Sequence, residues 1–156
     1  MKYAFIFLLS FFACWTEIQA QTIQNDSIQV LSLAEFEKMS AKKKSKILDV
    51  RTPEEVAEGH LVGSTTVNFL SPAFGTEILA LNKNKTYLLY CRSGSRTRKA
   101  ADAMQKMGFK HVYMLEGGIN AWKDAGKEVV KWDWFGRQIP LGRAKKSGDG
   151  RELSKQ

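Results

Sequence analysis

One short stretch of the chain concentrates residues able to do chemistry. Cys91-Arg92-Ser93-Gly94-Ser95-Arg96-Thr97 follows the apolar run T-Y-L-L-Y, Thr86 to Tyr90, which predicts a buried strand. Parallel α/β folds bind their ligands at the place where such a strand ends and a small-residue turn opens a helix. If the turn wraps around the sulfur, the backbone N–H groups of residues 92–97 converge on it. Together with the positive end of the helix dipole and two arginines, they stabilise a thiolate. The same cradle holds an anion just above the sulfur. Gly94 permits tight curvature, and Ser93 and Ser95 are small enough to leave the mouth open. This favours nucleophilic attack by Cys91 on an anionic electrophile. The alternative, an inert core cysteine, sits badly with the polar, basic R-S-G-S-R that follows.

The segments that must position this turn alternate between strand and helix. Ile28 to Leu31 predicts a short strand, and Ser32-Leu33-Ala34-Glu35 a capping box that opens a helix through Phe36 and Met39. Lys42 to Lys46 reads as a solvated loop and Ile47 to Val50 as a strand. Thr52, Pro53 and Glu55 then supply an N-cap, a first helical residue and the closing carboxylate of a second box. Thr65 to Phe69 predicts another strand, and Ser71-Pro72 opens a helical stretch carrying Ile78, Leu79 and Leu81. After the cysteine turn, Ala100, Ala101, Met104 and Met107 fall on one face of a helix stopped by Gly108. His111 to Leu115 reads as the last strand, and Ile119 to Trp122 begins a final helix that ends near Gly126. Alternation of this kind implies right-handed crossovers and a largely parallel sheet covered on both faces, an α/β fold. Away from the turn the plain readings prevail for Glu58 and His60, which satisfy a loop, and for Trp122, in the core; for Asp49 and Arg51 a surface ion pair is one alternative.

Length and composition agree with one such domain. The chain has 156 residues, of which 44% are hydrophobic and 26% charged, enough for a single packed core. Two cysteines exclude a disulfide scaffold, and two histidines, His60 and His111, are too few and too scattered for a metal site. The net charge of +8 asks for an anionic partner or a basic tail, and residues 131–156, with seven basic and three acidic residues, account for half of it. The remaining excess is too modest to suggest nucleic acid.

The first twenty residues read as a secretory signal peptide. Lys2 gives a positive start, and the 13 residues from Tyr3 to Trp15 are apolar except for Ser10, short for a membrane span but suited to a signal core. Cleavage after Ala20 is the expected outcome; lipidation at Cys14, or an uncleaved anchor, are the alternatives. Each exports the domain, with a bacterial periplasm as the expected destination. Cleavage after Ala20 leaves Cys91 as a lone thiol in an oxidising compartment. Contact with a membrane surface is then open, through lipidation or through the basic tail. The reading divides the chain into a signal peptide at 1–20, a domain at 28–130 and a basic extension at 131–156.

From Ile28 to Val130 the sequence resembles the single-domain rhodanese, or sulfurtransferase, family. The likeness rests on D-V-R-T-P-E-E-V-A-E-G-H-L-V-G-S from Asp49, L-L-Y-C-R-S-G-S-R-T-R-K-A-A from Leu88 and L-E-G-G-I-N-A-W from Leu115. The resemblance implies a five-stranded parallel sheet flanked by helices on both faces. It makes Cys91 the residue that carries sulfane sulfur as a persulfide, and Arg92 to Thr97 the loop that binds the anionic donor. Arg96 would organise that loop, with a contact to Asp49, while Asp49 and Arg51 would support it from the neighbouring strand. Thr97 stands where many members have serine, a change that keeps the hydroxyl.

Implied partners are a small anionic sulfur donor such as thiosulfate and a thiol acceptor, or cyanide in an assay; no metal or other cofactor is implied. One rival within the same fold is a cysteine phosphatase or arsenate reductase. Its loop typically places five residues between Cys and Arg, whereas four separate Cys91 from Arg96. The other rival is a non-catalytic module that binds sulfur or a partner, or senses redox state.

Overall fold

The apolar run from Thr86 to Tyr90 forms the central strand of the sheet, because it alone is buried along almost its whole length on both faces. A computed structural model describes residues 28–141; the expected signal peptide, Cys14 and the end of the basic extension lie outside them. In chain order the elements are β1 (Gln29–Leu31), α1 (Leu33–Ser40), β2 (Ser45–Asp49), α2 (Pro53–Ala57), β3 (Ser64–Thr66) and α3 (Phe74–Leu79). There follow β4 (Thr86–Tyr90), α4 (Ser95–Lys106), β5 (Val112–Leu115), α5 (Gly118–Asp124), β6 (Val130–Trp132) and β7 (Gln138–Pro140). The first five strands make a wholly parallel sheet in the order β1-β5-β4-β2-β3.

Side-chain alternation along β4 divides the core in two. Tyr87 and Leu89 join Phe74 and Ile78 of α3 and Ala100, Ala101 and Met104 of α4 on one face. Leu88 and Tyr90 join Phe36 of α1 and Ile119 of α5 on the other. Helices therefore cover both faces, and the ends of β2 and β4 open together at one edge of the sheet. Both capping boxes form as expected: Ser32 with Glu35 starts α1, and Thr52 with Glu55 starts α2 behind Pro53.

Several boundaries move for identifiable reasons. Ser45 and Lys46, expected in a loop, belong to β2 because β4 pairs with them in register, Ser45 against Thr86 and Lys46 against Tyr87. β3 is shorter than expected and ends at Thr66, although the Val67 and Phe69 N–H groups still donate to Asp49 and Val50 of the neighbouring chain segment. α3 does not start at Ser71-Pro72, where the Ser71 hydroxyl accepts from Ala73 N–H in a local turn, and it ends before Leu81.

The largest difference lies beyond β5, expected to be the last strand. The start of the basic extension folds as an antiparallel hairpin, β6 with β7, and residue 130, the expected end of the domain, begins β6. His60 fastens the hairpin to the body. Its N–H and C=O exchange hydrogen bonds with Val130 at 2.8 and 2.9 Å, and its ring stacks on Trp132 at 5.2 Å. The ring nitrogens lie 3.4 Å from the Val56 carbonyl and 3.3 Å from the Gln138 amide. Burial lowers the pKa of this imidazole, so it stays neutral, donating through Nδ1 and accepting through Nε2.

Candidate functional site

Cys91 leaves the end of β4 and sits only 1% exposed in the core cluster beneath α4. The chain then turns sharply at Gly94, whose φ of 105° is natural only for glycine, and enters α4 at Ser95. This curvature brings the Gly94 N–H to 3.2 Å from the Cys91 sulfur. Thr97, on the first turn of α4, is fully buried, and its hydroxyl lacks a full hydrogen bond to any other group. Burial pushes the Cys91 thiol up, but the Thr97 hydroxyl and the N–H groups of Thr97, Gly94 and Ser93 outweigh it, leaving the thiol below its ordinary pKa. Of the remaining loop residues, Arg92, Ser93 and Ser95 are exposed. Arg92 makes no ion pair among the described residues, so its charge is available at the mouth.

Arg96 does not reach Asp49 as expected. Its two terminal nitrogens donate to the two carboxylate oxygens of Glu55, at 2.6 and 2.7 Å, in a bidentate clamp. The Glu55 carboxylate also accepts the Thr52 N–H that closes the α2 capping box, at 3.2 Å. One carboxylate thus starts α2 and holds the cysteine loop. The Arg96 guanidinium beside it holds the Glu55 carboxyl at about 2.

Asp49 and Arg51 are not a surface pair. They are 0% and 3% exposed, and Arg51 Nε donates to the Asp49 carboxylate at 2.9 Å. The rest of that guanidinium reaches the Glu55 carbonyl at 3.0 Å and the Gly59 carbonyl at 2.8 Å. A buried charge left unpaired is costly, so this network specifies where α2 lies relative to β2. Support for the loop therefore passes from Asp49 through Arg51 to α2, and from Glu55 to Arg96. Glu58 is an exposed residue at the end of α2, and the His60 backbone and ring are taken up in fastening the hairpin, so neither is a proton-transfer group of this site. Trp122 is half-buried against Phe36, with its indole N–H donating to the Glu128 carbonyl. Among the described residues, no group of three or more His, Cys, Asp and Glu is arranged to hold a metal ion.

Two contributors escaped the sequence reading. Glu55 was visible there only as a helix cap. Gly118 was part of a quoted motif, yet its task is steric. A Cβ on Gly118 would lie 2.4 Å from the Cys91 carbonyl oxygen and 2.8 Å from Arg92 backbone atoms. That close approach lets the Ile119 and Asn120 N–H groups donate to the Cys91 and Arg92 carbonyls at 2.9 and 3.2 Å. α5 thereby fixes the peptide that carries Cys91. Gly118→Ala is expected to cost about 2 kcal/mol or more and to lower the melting temperature by roughly 10 °C. A thermal melt of the variant checks this, and an unchanged melting temperature would mean that the contact yields without cost.

A cysteine held below its ordinary pKa by a ring of N–H donors, with one exposed arginine at its mouth, is equipped for nucleophilic transfer of a group from an anion. The comparisons agree with the expected family. The rhodanese-like domain matches residues 32–125. A sulfurtransferase of Allochromatium vinosum is 34% identical over 85 residues, covering 54% of this chain and 77% of that one. A rhodanese-related protein from Thermoplasma volcanium shares the fold with a TM-score of 0.59 at 25% identity, over 65% of this chain and 97% of that one. A Rhodopseudomonas palustris protein of unknown function, described as a candidate tyrosine phosphatase, matches with a TM-score of 0.54 at 33% identity, over 66% of this chain and 85% of that one. The match to the family spans well over half of the chain and carries a sulfurtransferase-type function at the family level. The chain belongs to the single-domain rhodanese family.

Proposed function

We propose that this protein is an exported sulfurtransferase that takes sulfane sulfur from thiosulfate, or a similar anionic donor, onto Cys91 and passes it to a thiol. The observation that carries the reading is the Cys91 sulfur itself, buried at a strand end, bonded by the Gly94 N–H and adjoined by the buried Thr97 hydroxyl. In the first step the Cys91 thiolate attacks the outer sulfur of thiosulfate. The sulfur–sulfur bond of the donor breaks, its electron pair leaves on sulfite, and Cys91 becomes a persulfide anion. The loop N–H groups and the Thr97 hydroxyl receive that charge. In the second step a thiolate, or cyanide in an assay, attacks the outer sulfur, and Cys91 leaves as thiolate. Splitting the exchange in this way replaces one difficult transfer with two easier ones.

Arg92 acts as the cation that draws the dianion to the mouth. Arg96 contributes its charge from behind the loop, tempered by Glu55. Export rests on the character of residues 1–20 and makes a periplasmic location the expected one. Among the described residues no helix is long and apolar enough to cross a membrane. Any membrane contact would come through Cys14 lipidation or through the C-terminal region.

The phosphatase reading draws on the Rhodopseudomonas palustris neighbour. It needs an arginine free to grip a phosphoryl group, and both terminal nitrogens of Arg96 are engaged by Glu55. The four-residue spacing from Cys91 to Arg96 also makes a tighter loop than such enzymes use. The non-catalytic reading has less support here, because the thiol, its donors and the loop clamp are all assembled.

Intact-mass measurement of the reduced protein after brief exposure to thiosulfate tests the proposal. The expected result is a gain of one sulfur atom, localised to Cys91 and removed by cyanide with release of thiocyanate. No gain of mass, together with hydrolysis of an aryl phosphate, would instead support the phosphatase.

A further inference from the structure

The hairpin ends in a feature that neither the sheet nor the cysteine site uses. Its tip presents Trp134 and Phe135, 88% and 63% exposed, with ring centroids 4.0 Å apart. Toward the base of the hairpin Trp132, Ile139 and Leu141 are partly exposed, with Trp132 stacked on His60 and Leu141 N–H donating to the Val129 carbonyl. The tip is held in one shape. Asp133 Oδ1 accepts from the Phe135 and Arg137 N–H groups at 2.9 and 2.8 Å, and Gly136 turns the chain at a φ of 74°. A built turn that holds two large aromatic side chains in water is costly unless something covers them.

The surrounding charge says what fits. Arg137 lies over the Phe135 ring at 5.0 Å, and its Nε donates to Asp133, so the hairpin's one acidic side chain is already paired. Lys131 adds a second cation on β6, and residues 142–156, which follow directly, carry five basic and two acidic residues. We propose that the hairpin tip is a membrane-docking element, inserting Trp134 and Phe135 into the interface of an anionic phospholipid surface while Lys131 and Arg137 engage the headgroups. Aromatic side chains of this kind settle at the boundary between acyl chains and headgroups, and adjacent lysines and arginines add attraction to anionic lipid. A projecting tip with basic flanks suits such a surface better than a protein partner, whose interface calls for a broad complementary patch.

The test uses the chain from Gln21, which keeps every residue of the described fold and removes the apolar leader. It is mixed with vesicles of phosphatidylcholine alone, or with about 30% phosphatidylglycerol. Partitioning is followed by sedimentation and by tryptophan emission. The expected result is binding to the anionic vesicles with a blue shift, weakened by salt. The double variant W134A/F135A should lower the partition coefficient at least about tenfold while thiosulfate:cyanide transfer stays at the parent level. No partitioning at low salt would overturn the proposal and leave a protein surface as the hairpin's target. Binding equally strong in the double variant would also overturn it, since the basic residues alone would then account for attachment.

Discussion

Cys91→Ser is expected to bring thiosulfate:cyanide sulfur transfer to background, a loss greater than about 10³-fold, while the fold persists. An alkoxide is a poor nucleophile toward sulfane sulfur, and an alcohol cannot hold the transferred atom as a persulfide. The substitution removes little volume, and the Gly94 N–H that bonds the sulfur at 3.2 Å can bond a hydroxyl instead. The melting temperature should therefore move by only about 4 °C or less. Steady-state assay and thermal melt of the same preparation give both numbers. Activity surviving in a folded serine variant would remove Cys91 from the reaction.

The second large effect is expected at the clamp between Arg96 and Glu55. Arg96→Ala removes positive charge near the thiolate and frees the loop from α2, so turnover should fall by about 10²-fold and the Cys91 pKa should rise. Glu55→Gln separates the two contributions. It keeps the volume of the side chain but breaks the bidentate pairing at 2.6 and 2.7 Å and leaves the arginine's charge less neutralised. Turnover should again fall, by about tenfold, yet the thiol pKa should stay or drop rather than rise. Alkylation rates of Cys91 across pH read the two shifts directly. A rise of equal size in both variants would show that placement of the loop, and not the charge of Arg96, controls the thiol.

The clamp also has a defined acid limit. Glu55 is held at about 2, below its ordinary value of 4.5. Its contribution to stability is therefore complete above pH 4.5 and is lost as the pH falls toward 2.

Features that depend on neighbours in the chain were legible in the sequence. The T-Y-L-L-Y run announced β4, and the two capping boxes formed where Ser32 and Thr52 placed them. The turn of small residues after Cys91 told of a cradled sulfur, because strand period, cap chemistry and glycine turns are all settled within a few residues. The hairpin was not legible. Lys131 to Leu141 is polar and basic with scattered aromatics, and it pairs only because Val130 and Trp132 find His60, some seventy residues back along the chain.

Family motifs and local rules therefore settled the fold class and the place of Cys91 and its loop at the end of β4. Tertiary structure alone decided which partner each charge takes. Arg96 and Glu55 are 41 positions apart, and either Asp49 or Glu55 could have received the arginine. The choice went to Glu55 because Arg51 claims Asp49 from beside it and at the same time bonds the Glu55 and Gly59 carbonyls, placing α2 with its carboxylate toward the loop. Gly118 likewise owes its importance to α5 meeting the Cys91–Arg92 peptide. Such pairings depend on where whole elements come to rest against one another, and that is set by burial of the two core faces rather than by any spacing along the chain.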